Sequence, residues 1–528
     1  MTCFRLVKLI IVHYHFRPGG VRRVIESAVP DIVLGGGKFS SVVLATGEAP
    51  DPAWLREFRR LLSPAKVKIV TLPALSYFSE QQVCGEDLPL LLESGLDVLL
   101  QGADTANCLI WAHNTGLGRN LMLTSALARR CAELHIPLLL HHHDWWFENR
   151  WQRWPEFRRC GFPTLDSVAA AVFPVSDKIR HITINREDTA ILQKYFGQRV
   201  RWLPNPVASA SPPTPARLRF AHRWLADQVG SDAPVWILPC RLLRRKNIGE
   251  ALLLTRWLRP DAWLVTTGGV SSADEESYAA RLRDAAQANS WHLRLGLLSG
   301  NGKKNPSVPE LMAASEVVLL TSIQEGFGLP NLEAVAAGRP LIARRLTNVA
   351  PDLAGFGFRF PQSYDEILIA PELFDWAGEV RRQAELFRKW RFGLPRSCRA
   401  LAGEPMLSAQ QNTPRPVPFS RLTLTAQLEV LCHPVENSWN LCAPLNPFLP
   451  IWKKRAATQS LSVTPWPGNA EKWLGAPAYA DKFWKFAGAD SRGSSTLNDS
   501  RAAQKEFLRA RLNAAALFPL LWEPSSVS

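Results

Sequence analysis

Short apolar runs alternate with segments whose apolar side chains recur at helical spacing along the first 370 residues, which predicts parallel sheets covered by helices. The run from Leu6 to His15 is followed by a helical pattern over Val21 to Ala28 and a second run over Ser41 to Ala45. Leu109 to His113 precedes a helical pattern over Leu121 to Leu134 and another run over Pro137 to His142. A second series then begins: Val235 to Pro239, Ile248 to Trp257, Trp263 to Thr267, Ala280 to Ala288, Glu316 to Thr321, Pro330 to Ala337 and Pro340 to Ala343. Each series reads as a doubly wound, Rossmann-like unit.

The segment 208–216, ASASPPTPA, separates the two series. Its prolines and small side chains make a semi-rigid connector with little capacity to pack. The expected organisation is an N-terminal unit over 1–207, this linker, a second unit over 217–370, and a C-terminal extension of unknown fold over 371–528. Two such halves predict a cleft lined by strand carboxyl ends, where doubly wound folds bind ligands. Beyond residue 370 the pattern weakens to a helical stretch near 375–392, a Pro-rich polar stretch over 404–419 and a helical pattern over 501–517. Trp439, Trp452, Trp466, Trp473, Trp484 and Trp522 fall in this part, so some of it is expected to pack.

Composition narrows the class. The 528-residue chain is 46% hydrophobic and 21% charged, as in soluble globular proteins. It has no apolar run long enough to span a bilayer, and its N-terminus reads as a core strand rather than a cleavable leader. Nine scattered cysteines without a Cys-x-x-Cys pair suit a reducing cytoplasm. The net charge of +15 is spread widely and favours anionic ligands or peripheral attachment to an anionic membrane surface. Zinc-finger spacing, RNA-binding aromatic signatures and basic heptad helices are missing from the sequence, so nucleic acid is not an expected partner.

The chemistry concentrates at strand ends. In TSIQEGFGLPNLEAVAAGRP, residues 321–340, Pro330 suits a first helical turn and Gly338 with Pro340 a stop, giving a helix near 330–337. Glu325 precedes it and Glu333 lies about one turn inside. Between them Gly326, Phe327, Gly328 and Leu329 form a turn whose main-chain N–H groups can approach a phosphate beside the positive helix end. Two carboxylates flanking a phosphate site suit a ligand with hydroxyl-rich ends, the shape of a nucleotide sugar. Arg241 and Lys246, in CRLLRRKN after the strand VWILP, can neutralise a diphosphate.

Pro18-Gly19-Gly20-Val21 follows the first strand and opens a helix, so its backbone can approach a ligand, although the spacing is not the dinucleotide fingerprint. His141-His142-His143-Asp144 ends the strand PLLL, and polar residues there call for a ligand, water or one another. Adjacent strand residues point to opposite faces, which argues against all three histidines holding one metal ion. His113-Asn114 ends the preceding strand, with Asn114 suited to capping.

Taken in order, PGGV, a histidine at a middle strand end, RWLPNPV before the linker, CRLLRRKN and EGFGLPNLEA resemble the family 4 glycosyltransferases of GT-B fold, over about residues 5–365. The resemblance implies two Rossmann-like domains and transfer of a sugar from a nucleoside-diphosphate donor to an acceptor, with retention of configuration and no obligatory metal or other cofactor. It implies that Glu325 contacts the donor sugar, Glu333 the ribose, Phe327 to Leu329 the diphosphate together with Arg241 and Lys246, and that His143 lies near the reacting carbon. Gly19 and Gly20 would belong to the same site. Cys240 stands where the family usually has glycine. Two other activities fit the same motifs: a GT-B nucleotide-sugar epimerase, and a non-catalytic nucleotide-sugar-binding or scaffold protein.

Overall fold

The computed structural model describes residues 8–35, 39–81, 87–104, 107–148, 151–207, 212–270, 272–299, 305–407, 413–489 and 495–522. The chain divides into two compact units. The first comprises Met1–Ala208, Gly393–Cys398 and Asn469–Arg511; the second comprises Ser209–Phe392, Arg399–Gly468 and Leu512–Ser528.

Among the described residues the first unit holds seven strands: β1 (Lys8–Val12), β2 (Ser41–Thr46), β3 (Lys66–Thr71), β4 (Cys108–His113), β5 (Leu138–His142), β6 (Ile179–Thr183) and β7 (Val200–Trp202). They form one parallel sheet in the order β3-β2-β1-β4-β5-β6-β7. Strand alternation sorts the core into two layers. Leu9 and Ile11 pack under the helices Gly20–Leu34 and Pro52–Leu61, while Ile10 and Val12 pack under Asp87–Leu100 and Leu121–Glu133. Burial on both faces explains why β4 and β5 read as near-continuous apolar runs.

The second unit has six parallel strands among its described residues: β8 (Val235–Leu238), β9 (Trp263–Thr266), β10 (Leu293–Arg294), β11 (Val317–Leu320), β12 (Leu341–Arg344) and β13 (Gln362–Tyr364), in the order β10-β9-β8-β11-β12-β13. A small antiparallel pair follows, β14 (Leu368–Ile369) with β15 (Val417–Pro418). In both sheets the order reverses beside the first strand of the unit, between β1 and β4 and between β8 and β11. Such switch points part the flanking loops at the strand carboxyl ends and leave a crevice for ligands.

Both series expected from the pattern are present, with additional strands at β3, β6, β10 and β13. The first strand is Lys8–Val12, and the residues before it lie outside the described ones, as do Cys3 and Cys84. Of the linker, residues 208–211 also lie outside them, while Thr214 caps the helix Pro215–Val229.

Residues 371–528 are shared between the two units. In the second, the helix Ile248–Leu258 is apolar almost all round, so one face meets the sheet and the rest needs another cover. The helices Leu424–Cys432, Val435–Cys442 and Leu449–Ala457 supply it, with Trp257 donating from its indole to Ser438 Oγ at 3.0 Å. In the first unit, Tyr479, Phe483 and Phe486 of the helix Ala476–Ala487 join the layer of Leu9 and Ile11, and Trp484 donates to the Ile32 carbonyl at 3.1 Å. Arg511, closing the helix Leu497–Leu512, meets Glu187 at 3.1 Å and Asp188 at 3.0 Å. The tryptophans of the C-terminal part are therefore packing residues.

Candidate functional site

The switch point of the second sheet carries the phosphate-site candidates. After β8 the chain runs through a short 3-10 turn, Arg244–Lys246, and enters the helix Ile248–Leu258 at Asn247. Asn247 is left-handed at φ 49°, a conformation asparagine tolerates better than most residues. Its amide is fixed by Glu250 Oε2 at 2.9 Å and Gln427 Nε2 at 3.2 Å. The turn is tied to the neighbouring strand by Thr321, whose hydroxyl donates to the carbonyls of Lys246 at 2.9 Å and Asn247 at 3.1 Å. Lys246 is thereby held, buried, against the loop that follows β11.

That loop places Glu325 beside two cations. Lys246 Nζ donates to its Oε1, and Arg245 Nη1 to its Oε2 at 3.0 Å and to the Gln324 carbonyl at 2.9 Å. Burial would raise the Glu325 carboxyl, but Lys246 and Arg245 hold it down to about 2, against an ordinary 4.5. The Ser322 side chain adds a further hydrogen bond to the same carboxylate. Asn348 fixes the loop by donating to the Glu325 carbonyl at 2.7 Å.

Gly328 begins the helix Leu329–Ala336, one residue ahead of the expected start. It sits at φ +80°, and a Cβ there would lie 2.6 Å from Val349 Cγ1, so glycine is required twice over. Phe327 is buried beside Phe356, while Gly326 and Leu329 are half-buried, and Glu333 lies in the second turn, also half-buried.

Arg241 is exposed at the carboxyl end of β8. Its stem lies against the exit of β9: a Cβ on Gly268 would come within 2.9 Å of Arg241 Cγ. Cys240 is buried, its carbonyl accepting from Gly268 N at 2.8 Å. Arg244 turns elsewhere, donating from Nε to Glu275 at 3.2 Å. The structure thus gathers Lys246, Glu325, Gly326, Phe327, Gly328, Leu329 and Glu333 around one turn and adds Arg245, which the sequence reading passed over. Its neighbours in CRLLRRKN carried the charge signal equally, so the spacing could not single it out.

In the first unit, Gly19 and Gly20 are exposed at the start of the helix Gly20–Leu34. A Cβ on Gly20 would meet nothing within 4 Å. Packing within the unit therefore leaves room for side chains at this turn.

The strand-end histidines separate by face. His142 meets His181 at 3.0 Å and stacks on Trp145. His141 and His143 lie on the opposite face with His113 of β4, and one ring nitrogen from each of the three lies within 4.8 Å of the others. His143 Nε2 is 3.1 Å from His113 Nδ1, and His141 stacks parallel to Trp111 at 5.8 Å. Burial holds all four rings neutral, His143 down to about 4. Alternation therefore separates His142, as expected, while His113 of the neighbouring strand joins His141 and His143 in a group of three on the other face, which alternation along β5 alone does not show. Asn114 is left-handed at φ 60° and caps no helix with its side chain. It accepts from Asp144 N at 2.9 Å and donates to Asp144 Oδ2 at 3.2 Å, fixing the loop beyond His143.

Comparison with known proteins gives one family match and several distant relatives. Residues 228–363 match the family model described as glycosyl transferases group 1. The chain is 24% identical over 367 residues to mannosylglucosyl-3-phosphoglycerate synthase of Petrotoga mobilis, covering 64% of this chain and 65% of the relative. It is 25% identical over 261 residues to mannosylglucosylglycerate synthase of Thermotoga maritima, covering 46% of this chain and 58% of the relative. The alignments thus span about two thirds or less of these relatives' length. Among solved structures, Anabaena HepE in complex with UDP and glucose superposes at a TM-score of 0.45 and 17% identity, over 66% of this chain and 82% of that one. The family match falls on the unit that carries Lys246 and Glu325 and includes the motifs CRLLRRKN and EGFGLPNLEA.

Proposed function

We propose that this chain is a glycosyltransferase that moves a hexosyl group from a nucleoside-diphosphate sugar to a hydroxyl acceptor with retention of configuration. The observation that carries the proposal is the meeting of Lys246, Arg245 and Glu325 at the switch point of the second sheet, beside a glycine turn that opens a helix. In this reading the donor diphosphate lies over the main-chain N–H groups of Phe327 to Leu329, with Arg241 and Lys246 balancing its charge. Glu325 accepts from the donor sugar's hydroxyls, and Glu333 from the ribose.

The chemistry then needs little acid–base help. The bond between the anomeric carbon and the diphosphate oxygen breaks with its electron pair leaving on the diphosphate. The acceptor oxygen bonds to that carbon from the same face, and its proton passes to the departing diphosphate. Electrostatic stabilisation of that leaving group supplies most of the rate. Neutralisation by side chains makes a donor-site metal unnecessary. In the same reading Gly19 and Gly20 border the donor site, and His143 lies near the reacting carbon, where the acceptor approaches.

The relatives' names describe mannosylglucosyl-3-phosphoglycerate and mannosylglucosylglycerate as products, so glycosylated glycerates and phosphoglycerates are the first acceptors to assay. A cytoplasmic location, with or without peripheral attachment to anionic lipid, suits a basic chain in which no described helix is long and apolar enough to cross a membrane.

Calorimetric titration of UDP, GDP, ADP and their common sugars into the wild-type chain and Lys246→Ala tests the proposal. Binding of one donor class, lost in the variant, is expected. Absence of binding to any of them by the wild-type chain overturns it in favour of a scaffold role. Binding accompanied by sugar interconversion without any acceptor points instead to an epimerase.

A further inference from the structure

We propose that His113, His141 and His143 form a binding site for one divalent transition metal of the zinc class in the first unit. The inference does not rest on the proposed donor site, and it revises the expectation that this strand end holds no metal.

Two adjacent parallel strands build the cluster. In the sheet register His113 of β4 pairs with His141 of β5, and His143 follows two residues later on the same face. This places one ring nitrogen from each residue within 4.8 Å of the other two. Tetrahedral zinc with bonds of about 2.0–2.1 Å to imidazole nitrogen sets its ligands about 3.3 Å apart. The 3.1 Å separation of His113 Nδ1 and His143 Nε2 is close to that edge. A small rotation of the His141 ring, whose centroid lies 4.3 Å from that of His143, would bring in the third ligand.

His141 supplies the independent observation. It is 0% exposed, yet neither of its ring nitrogens has a hydrogen-bond partner. A buried polar atom without a partner costs about 1–3 kcal/mol. Such atoms in a native core call for an explanation, an ion among them. Neutral imidazoles are the form that binds metal, and no carboxylate or thiolate joins the described group, which favours zinc-class ions over calcium or magnesium.

The surroundings hold the rings in place. Trp111 packs against both His113, at 4.2 Å between centroids, and His141. Asn114 accepts from the backbone N–H groups of His143, at 3.4 Å, and Asp144. His143 is the least buried of the three residues. Three ligands leave the fourth position to water or to an oxygen of a bound molecule.

The test uses the full-length chain, stripped with a chelator and then offered Zn²⁺ or Co²⁺. Metal per chain is measured by plasma mass spectrometry and coordination by the visible spectrum of the cobalt form. The expected result is about one ion per chain with a tetrahedral cobalt spectrum. His113→Gln and His141→Gln should each lower metal affinity at least tenfold. His142→Gln disturbs the opposite face of the same strand and should keep the metal, which controls for damage to the fold. A wild-type chain that retains no ion, ligand variants that bind as well as wild type, or a loss in His142→Gln as large as that in His141→Gln would each overturn the assignment. None of these readouts depends on sugar transfer, so failure here and failure of the proposed activity are distinguishable.

Discussion

Arg344 at the end of β12 donates from Nη2 to both carboxylate oxygens of Glu250, at 2.6 and 2.5 Å, with both side chains almost wholly buried. Tyr364 donates to the same carboxylate at 2.5 Å, and Arg344 Nη1 reaches Glu366 at 2.5 Å. Because Glu250 also fixes Asn247, this buried network braces the turn that carries Lys246.

Removing one member of the pair strands the other charge. Arg344→Ala or Glu250→Ala should therefore cost about 3–5 kcal/mol, measured as a lower urea midpoint. A double replacement by apolar residues of similar volume should cost less than either single change. Single variants with wild-type midpoints would show that the network contributes nothing.

The Glu325 carboxyl, held at about 2 against an ordinary 4.5, makes stability depend on acid. Its folded value is depressed, so the stabilisation is fully present above 4.5 and is lost as pH falls from 4.5 towards 2. The most this shift can contribute is roughly 3 kcal/mol. Denaturant unfolding of wild type and Glu325→Gln at pH values across that window should converge as the acid limit is approached. A difference that does not change with pH would refute the assignment.

Gly328→Ala should destabilise the second unit by ~1–3 kcal/mol, from a left-handed backbone and a contact with Val349. Nucleotide binding should weaken with it, because the turn's N–H groups would shift. Adding Val349→Ala should recover part of the stability and leave the backbone cost. Thermal unfolding of the two variants, set beside calorimetric titration of the donor, checks both halves.

Turnover should separate the three cations. Lys246→Ala and Arg241→Ala should each lower it by roughly one hundredfold or more, the scale of losing one charge-stabilising donor. Arg245→Ala should act through Glu325 and weaken donor binding as well as turnover, and Arg245→Lys should restore part of both, because a single nitrogen, Nη1, makes the contacts to Glu325 and to the Gln324 carbonyl. Steady-state kinetics showing Arg245→Ala unchanged in KM and kcat would remove it from the site.

Periodicity and strand-end motifs were enough to read both doubly wound units and the helix after Gly328, and they singled out Glu325 and Lys246, which the structure brings together. These are short-range features: alternation along a strand, a proline in a first turn, glycines where a backbone must turn. The strands β3 and β6 escaped because lysine, arginine and histidine interrupt their apolar pattern at an edge or beside a polar cluster.

The C-terminal part was opaque for a different reason. Its helices are amphipathic against surfaces that lie far back along the chain, such as Trp484 on the helix holding Ile32 and Ser438 on Trp257. Nothing local marks those partners.

The sequence by itself determined the fold class, the order of the two units and the residue types at the second switch point, because sheet register and helix ends follow from local periodicity. Only the tertiary structure decided that Arg245 rather than Arg244 meets Glu325, and that His113 joins His141 and His143 while His142 turns to His181. Those choices depend on which strands lie side by side and on which face each side chain leaves. Parallel pairing across long crossovers sets both, and sequence spacing does not encode it.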